Sequence, residues 1–119
     1  MRLRSILFAG FLIFIFLWGA SLAQAHTVSL SWTASTDAGV SYNVYRFSGA
    51  CPSTGTAGFS KINTTSVAAT TYTDASLAAG TYCYYATSVL NGAESVPSNL
   101  APAVLLPAAP TALSATGTS

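Results

Sequence analysis

With 119 residues, just over half of them hydrophobic and only 6% charged, the chain has room for one domain and carries very little charge. Its formal net charge of +1 rests on Arg2, Arg4, Arg46 and Lys61 against Asp37, Asp74 and Glu94. So sparse a charge excludes an electrostatic nucleic-acid binder, which presents clustered lysine and arginine.

The chain opens with a basic start, Arg2 and Arg4, an apolar run from Ile6 to Trp18, and the small-x-small pattern Ala23-Gln24-Ala25. These are the parts of a signal peptide over residues 1–25, cut before His26. Left uncut, the stretch from Ser5 to Ala25 is uncharged and long enough to span a bilayer, so membrane contact is expected only through an uncleaved leader. No cysteine follows the apolar run, which argues against a lipoprotein anchor. Removal leaves two basic residues against three acidic ones, a formal charge of −1, and solubility then falls to the many Ser and Thr hydroxyls. Such a surface protects weakly against strand-to-strand association. The expected location is secreted, periplasmic or cell-surface, where Cys51 and Cys83 most simply form one disulfide. Closing a loop of that length is worth roughly 3 to 4 kcal/mol by the chain-entropy argument. A two-thiol metal site lacks further ligands, since His26 is the sole histidine, and no cofactor is expected.

Along the remaining chain the apolar period is two. Val28, Leu30 and Trp32 alternate with Thr27, Ser29 and Ser31, which predicts a strand. After a turn-rich loop over Ala34 to Gly39, Tyr42, Val44 and Arg46 alternate with Asn43, Tyr45 and Phe47 in a second. Three glycines and Pro52 break the pattern from Ser48 to Gly58; Phe59 to Asn63 and Thr70 to Thr73 read as short strands. The strongest strand signal follows Gly80, with Tyr82, Tyr84, Ala86 and Ser88 facing one way and Cys83, Tyr85, Thr87 and Val89 the other. Asn91-Gly92 is a two-residue hairpin signal, leading into a last strand over about Asn99 to Leu106. No sustained helical period occurs, and short strands at this spacing predict an all-β sandwich of two antiparallel sheets.

From His26 to about Pro107 the chain also resembles a fibronectin type III domain of the kind found in exported bacterial proteins. The residues that carry the resemblance are Leu30-Ser31-Trp32, Tyr42-Asn43-Val44-Tyr45-Arg46, Lys61-Ile62-Asn63, Tyr72-Thr73-Asp74, Gly80-Thr81-Tyr82, and Glu94-Ser95 with Pro97-Ser98-Asn99. It implies an immunoglobulin-like sandwich over residues 26–106, with Trp32, Tyr42, Val44, Tyr82 and Tyr84 as fold residues. Trp32 would be the core tryptophan and Tyr82 the corner tyrosine, its hydroxyl bonding back to backbone. In that arrangement the loop carrying Cys51 and the start of the strand carrying Cys83 lie at one end, so the bridge would pin the glycine-rich loop to the outer sheet face. The resemblance also exposes a departure: Val28 to Trp32 matches the family's second strand, which leaves its first strand missing. Residues 107–119, Pro107-Ala108-Ala109-Pro110 onward, resemble the opening of another such domain. Two readings stand, a flexible tail or a first strand donated head-to-tail to a neighbouring copy.

For chemistry, Asp37, Asp74, Glu94 and His26 are scattered, with no carboxylate pair or triad, and no catalysis is expected. Asp37 in a loop and Asp74 beside a turn are expected to bond local backbone, and Glu94 after the hairpin to be solvated. An amino-terminal His26 would suit a copper histidine brace only with a further histidine. Tyr45 and Tyr85, with Phe47 near one end, are expected to face outward on adjacent strands, either as a platform for sugar rings or as a cross-strand pair that supports the sheet. Asn63-Thr64-Thr65 fits an N-glycosylation acceptor in a eukaryotic secretory host. The sequence therefore points to an exported, non-catalytic module for protein or extracellular glycan binding, or for structure. Head-to-tail self-association is the third possibility.

Overall fold

The computed structural model describes residues 25–119; the leader assigned to residues 1–25 lies almost wholly outside the described residues. Seven strands follow in order: β1 (His26–Ser31), β2 (Ser41–Ser48), β3 (Ser60–Lys61), β4 (Thr71–Leu77), β5 (Gly80–Leu90), β6 (Ala93–Glu94) and β7 (Ala101–Leu105). The alternation in each run of sequence thus becomes a strand, and the described residues contain no helix. β1 pairs only with β4, antiparallel, and a second sheet runs β3-β2-β5-β6, with β7 also on β5. The two sheets meet across one core, Val28 and Leu77 from the first against Val44 and Tyr84 from the second. Leu30, Trp32, Tyr72, Tyr82 and Leu105 pack around it. The fold is all-β, two sheets face to face, as a β-sandwich requires.

Tyr42, Val44 and Tyr84 are buried, whereas Trp32 and Tyr82 are half-buried at the margin of the core. The Trp32 ring meets Tyr42 edge-on at 5.4 Å. The Tyr82 hydroxyl donates to the carbonyl of Ala78 at 2.9 Å, four residues upstream. That bond ties the chain entering β5 to the loop before it, as a corner tyrosine does.

Two elements depart from the sequence expectation. β4 does not stop near Thr73 but continues to Leu77, so Asp74 lies inside a strand rather than beside a turn. The continuation works through a bulge: His26 pairs with Leu77 but Val28 with Asp74, and Ser76 takes up the extra residue at φ 61°. The bulge turns both Asp74 and Leu77 inward although they are three residues apart. The last strand, expected over about Asn99 to Leu106, forms as β7, preceded by the unexpected two-residue β6. Asn91 and Gly92, at φ 50° and 81°, make the expected hairpin into β6, but pairing then becomes irregular until Ala101. Pro97 has no N–H to give, and the hydroxyls of Ser98 and Ser95 accept from the N–H groups of Ala86 and Ser88 where strand carbonyls would otherwise serve.

Asn63 departs from the glycosylation reading. It is buried at 4% exposure, its Oδ1 accepts from the N–H of Val44 at 2.7 Å, and its Nδ2 donates to the Tyr42 and Thr65 carbonyls and to Asn43 Oδ1. The amide substitutes for a strand partner just past the short β3. Its nitrogen is therefore not available as an acceptor in the folded chain.

Candidate functional site

Three arrangements of polar and aromatic side chains stand out, and the first joins the two sheets. Arg46 shares the inward parity of Tyr42 and Val44 on β2, so its stem enters the core side and its charge needs a partner. That partner is Asp74 of β4, with Arg46 Nη1 at 2.9 and 3.0 Å from the two carboxylate oxygens. The Tyr84 hydroxyl donates to Asp74 Oδ2 at 2.7 Å, and the guanidinium lies over the Tyr82 ring at 5.9 Å. Asp74 thus bonds side chains of the opposite sheet, not the local backbone expected of it. An inward arginine among three acids was the available signal.

The second arrangement covers the outer face of the larger sheet. Tyr45 and Tyr85 are direct cross-strand partners, their rings stacked at 4.6 Å and 9°. Phe59 packs on Tyr85 at 5.0 Å and on Phe47 at 5.3 Å, extending the pair into a row of four rings. Stacking against each other covers one face of each tyrosine, the geometry of a sheet-supporting pair. Phe59 was not singled out in the sequence because it lies across a loop from the others. Cys51 and Cys83 are bonded with their Cα atoms 5.1 Å apart, and the loop they pin closes over Phe47. A Cβ at Gly49 or Gly58 would come within 2.9 or 3.0 Å of the Phe47 ring, so bare glycine is what lets the loop approach.

Glu94 is exposed after the hairpin, as expected, and is also bonded. Its Oε2 accepts from the hydroxyls of Tyr45 and Thr87 and from Asn43 Nδ2. The bonds from Thr87, then Tyr45, hold its carboxyl below the usual carboxylate value. The same bond to Glu94, helped by partial burial and by the Glu94 charge, raises the Tyr45 phenol from 10.0 to about 12. A phenol whose folded value is raised favours the fold while neutral. That contribution is complete below pH 10 and is lost as pH climbs from about 10 towards about 12. Tyr84 shifts the same way, first through burial and then through its bond to Asp74. Glu94→Ala is therefore expected to bring one late phenolate transition back towards pH 10 in a titration followed at the phenolate absorbance; an unchanged curve would show that the bond is not made in solution.

The third arrangement is a hollow. Two strands cannot cover the inner face of the larger sheet, and beside the free edge of β1 a cavity of about 390 Å³ opens between Leu30, Trp32, Val44, Tyr84, Ala86 and Asn99. A smaller one of about 190 Å³ continues past Trp32 towards Tyr42 and Pro97. Trp32 lines both, and its Nε1 is buried with no hydrogen-bond partner. Because the Trp32 N–H points to β4, donating to the Thr70 carbonyl at 3.0 Å, the alternating strand sends the backbone N–H and C=O groups of Ser29 and Ser31 to the open side. The edge carries no lysine, proline or bulged charge of the kind that blunts edge strands.

Neither the models of known protein families nor the curated proteins compared with this chain give a match. Among the described residues no three His, Cys, Asp or Glu side chains lie close enough together to hold a metal ion, and no helix is long and apolar enough to cross a membrane.

Proposed function

We propose that this chain is an exported, fibronectin type III-like module that works by binding, and that it binds by taking an extended polypeptide segment onto the free edge of β1. The family reading is supported by the strand order β1-β4 against β3-β2-β5-β7 and by the Tyr82–Ala78 bond. The disulfide suits an oxidising compartment. The observation that carries the binding mode is the mainly apolar hollow beside an unpaired strand edge. An added strand satisfies the free groups of Ser29 and Ser31 while its alternate side chains enter the hollow, which joins backbone affinity to side-chain selection.

The test uses a short capped peptide of alternating threonine and valine as the probe. Binding is expected to slow amide exchange at Ser29 and Ser31 and to shift Trp32 emission to the blue. Ser31→Pro removes a free-edge N–H and leaves the N–H groups that bond β4 in place, so it is expected to abolish binding without unfolding the sheet. Equal binding by Ser31→Pro and the unaltered chain would end the strand-addition reading.

A further inference from the structure

We infer that the segment received by the β1 edge is residues 107–119 of a second copy of this chain, an inference that rests on the strand-addition reading above. Four observations point to that occupant. First, residues 106–119 are exposed throughout and form no strand beyond β7, so the tail does not lie in the hollow of its own sandwich. Second, the tail has the pattern of an inserting strand. Past Pro110 it runs Thr111-Ala112-Leu113-Ser114-Ala115-Thr116 without charge or proline. Thr111, Leu113 and Ala115 share one face, and Leu113, 92% exposed, is its one large apolar side chain after Leu106. Ala112 sits at φ 58°, and docking as a strand returns it to the extended region an alanine prefers.

Third, the receiving edge matches it in kind. Leu30 and Trp32 offer an apolar wall for Leu113, across the hollow from the Ser98, Asn99 and Ala101 side of its lining. Neither surface carries a charge, so nothing repels the approach.

Fourth, the direction of the chain favours a neighbour. β7 ends with Leu105 opposite Gly80, at the end of the sandwich that also holds His26 and Leu77. An antiparallel partner for β1 starts beside Ser31, at the opposite end. To fill its own edge in that sense the tail must first climb the length of β1, roughly six residues at about 3.3 Å each, and then reverse. Leu113 would be consumed in the turn. A copy placed beyond the exit end presents its Ser31 end directly to the departing tail. Each copy then gives one strand and receives one, a head-to-tail contact that does not close and so builds a row.

The experiment compares the full chain, expressed from its own start codon and purified with the disulfide intact, with one ending at Leu106 and with full-length Leu113→Asp. Light scattering over a wide concentration range is expected to show the weight-average mass of the full chain rising severalfold while the other two stay monomeric. Leu113→Asp is expected to weaken association by roughly tenfold or more, since it replaces the one large side chain that the contact buries. Circular dichroism checks that the shortened chain is folded. A synthetic peptide of residues 107–119 added to it is expected to shift Trp32 emission to the blue without raising the mass. Monomers at every concentration for the full chain, with no Trp32 response to the tail peptide, overturn the inference. In that event a Trp32 response to the threonine–valine peptide leaves the strand-addition reading standing, and silence to both peptides removes it too. A full chain that is monomeric yet has Trp32 already shifted relative to the shortened chain places the tail in its own edge, which also overturns exchange between copies.

Discussion

Asp74→Ala is expected to cost about 3 kcal/mol of folding stability, a large part of what a domain of this size possesses. The carboxylate is 9% exposed and receives three hydrogen bonds, two from Arg46 and one from Tyr84. Removing it leaves the Arg46 guanidinium without its counter-charge and a buried phenol hydroxyl without an acceptor. Losing one partner of a buried pair costs about 3 to 5 kcal/mol. The Arg46 side chain keeps 31% of its exposure, so water solvates part of the abandoned charge and the low end of that range applies. Asp74→Asn keeps an acceptor for Tyr84 and is expected to cost less. The double change Arg46→Met with Asp74→Leu removes both charges and fills the space, and is expected to come close to the unaltered chain, because neither ion is then left alone in the core. Urea midpoints at constant slope read these proteins together with the single changes Arg46→Met and Asp74→Leu. Should Arg46→Met cost the same with Leu at position 74 as with Asp, the two residues are not coupled and the bridge is not a unit.

Replacing both Cys51 and Cys83 with alanine is the second large effect, expected to cost about 3 to 4 kcal/mol through the freed entropy of a loop with a sequence separation of 32. Alanine rather than serine is the clean substitution, because Cys83 is fully buried and a hydroxyl there would need a partner. The loss should appear first at the loop. Without the bridge, the bond from the Gly49 N–H to the Thr81 carbonyl at 2.9 Å and the packing of Phe47 and Phe59 hold it to the sheet. Near-ultraviolet dichroism of the four-ring row is therefore expected to fade at lower temperature than the far-ultraviolet strand signal. Coincident fading, with an unchanged midpoint, would mean that the loop is held by its aromatics alone. The same bridge keeps Phe59 on Tyr85, so its removal also reports whether the row depends on the loop.

Much of this architecture is legible residue by residue. The inward set Tyr42, Val44 and Arg46 and the outward set Asn43, Tyr45 and Phe47 follow from parity along one strand. Asn91-Gly92 specifies its own turn, since both positions need positive φ and both residue types accept it. Two cysteines in a chain with a leader-like start leave one simple pairing, and that pairing is present.

The candidate sites were harder to read, because each depends on a partner from elsewhere in the chain. Asp74 reads as a turn residue because aspartate is a poor strand former that follows the predicted strand ending at Thr73, and only the bulge at Ser76, set by the pairing of β4 with β1, turns it inward to Arg46. Glu94 is exposed, as a carboxylate after a hairpin usually is, but its bonds are not local: Thr87, Tyr45 and Asn43 reach it from strands up to 51 residues away in sequence. Asn63 matched a glycosylation pattern that is purely local, while its burial comes from the backbone of β2. The sequence by itself determined where the strands run, which way their side chains face and which cysteines bond. Those properties follow from period, turn chemistry and composition within a few residues. Only the tertiary structure decided which buried charge meets which, and that the edge of β1 stays open over a hollow. Register, bulges and the unequal width of the two sheets are set by packing between segments, and no single segment encodes them.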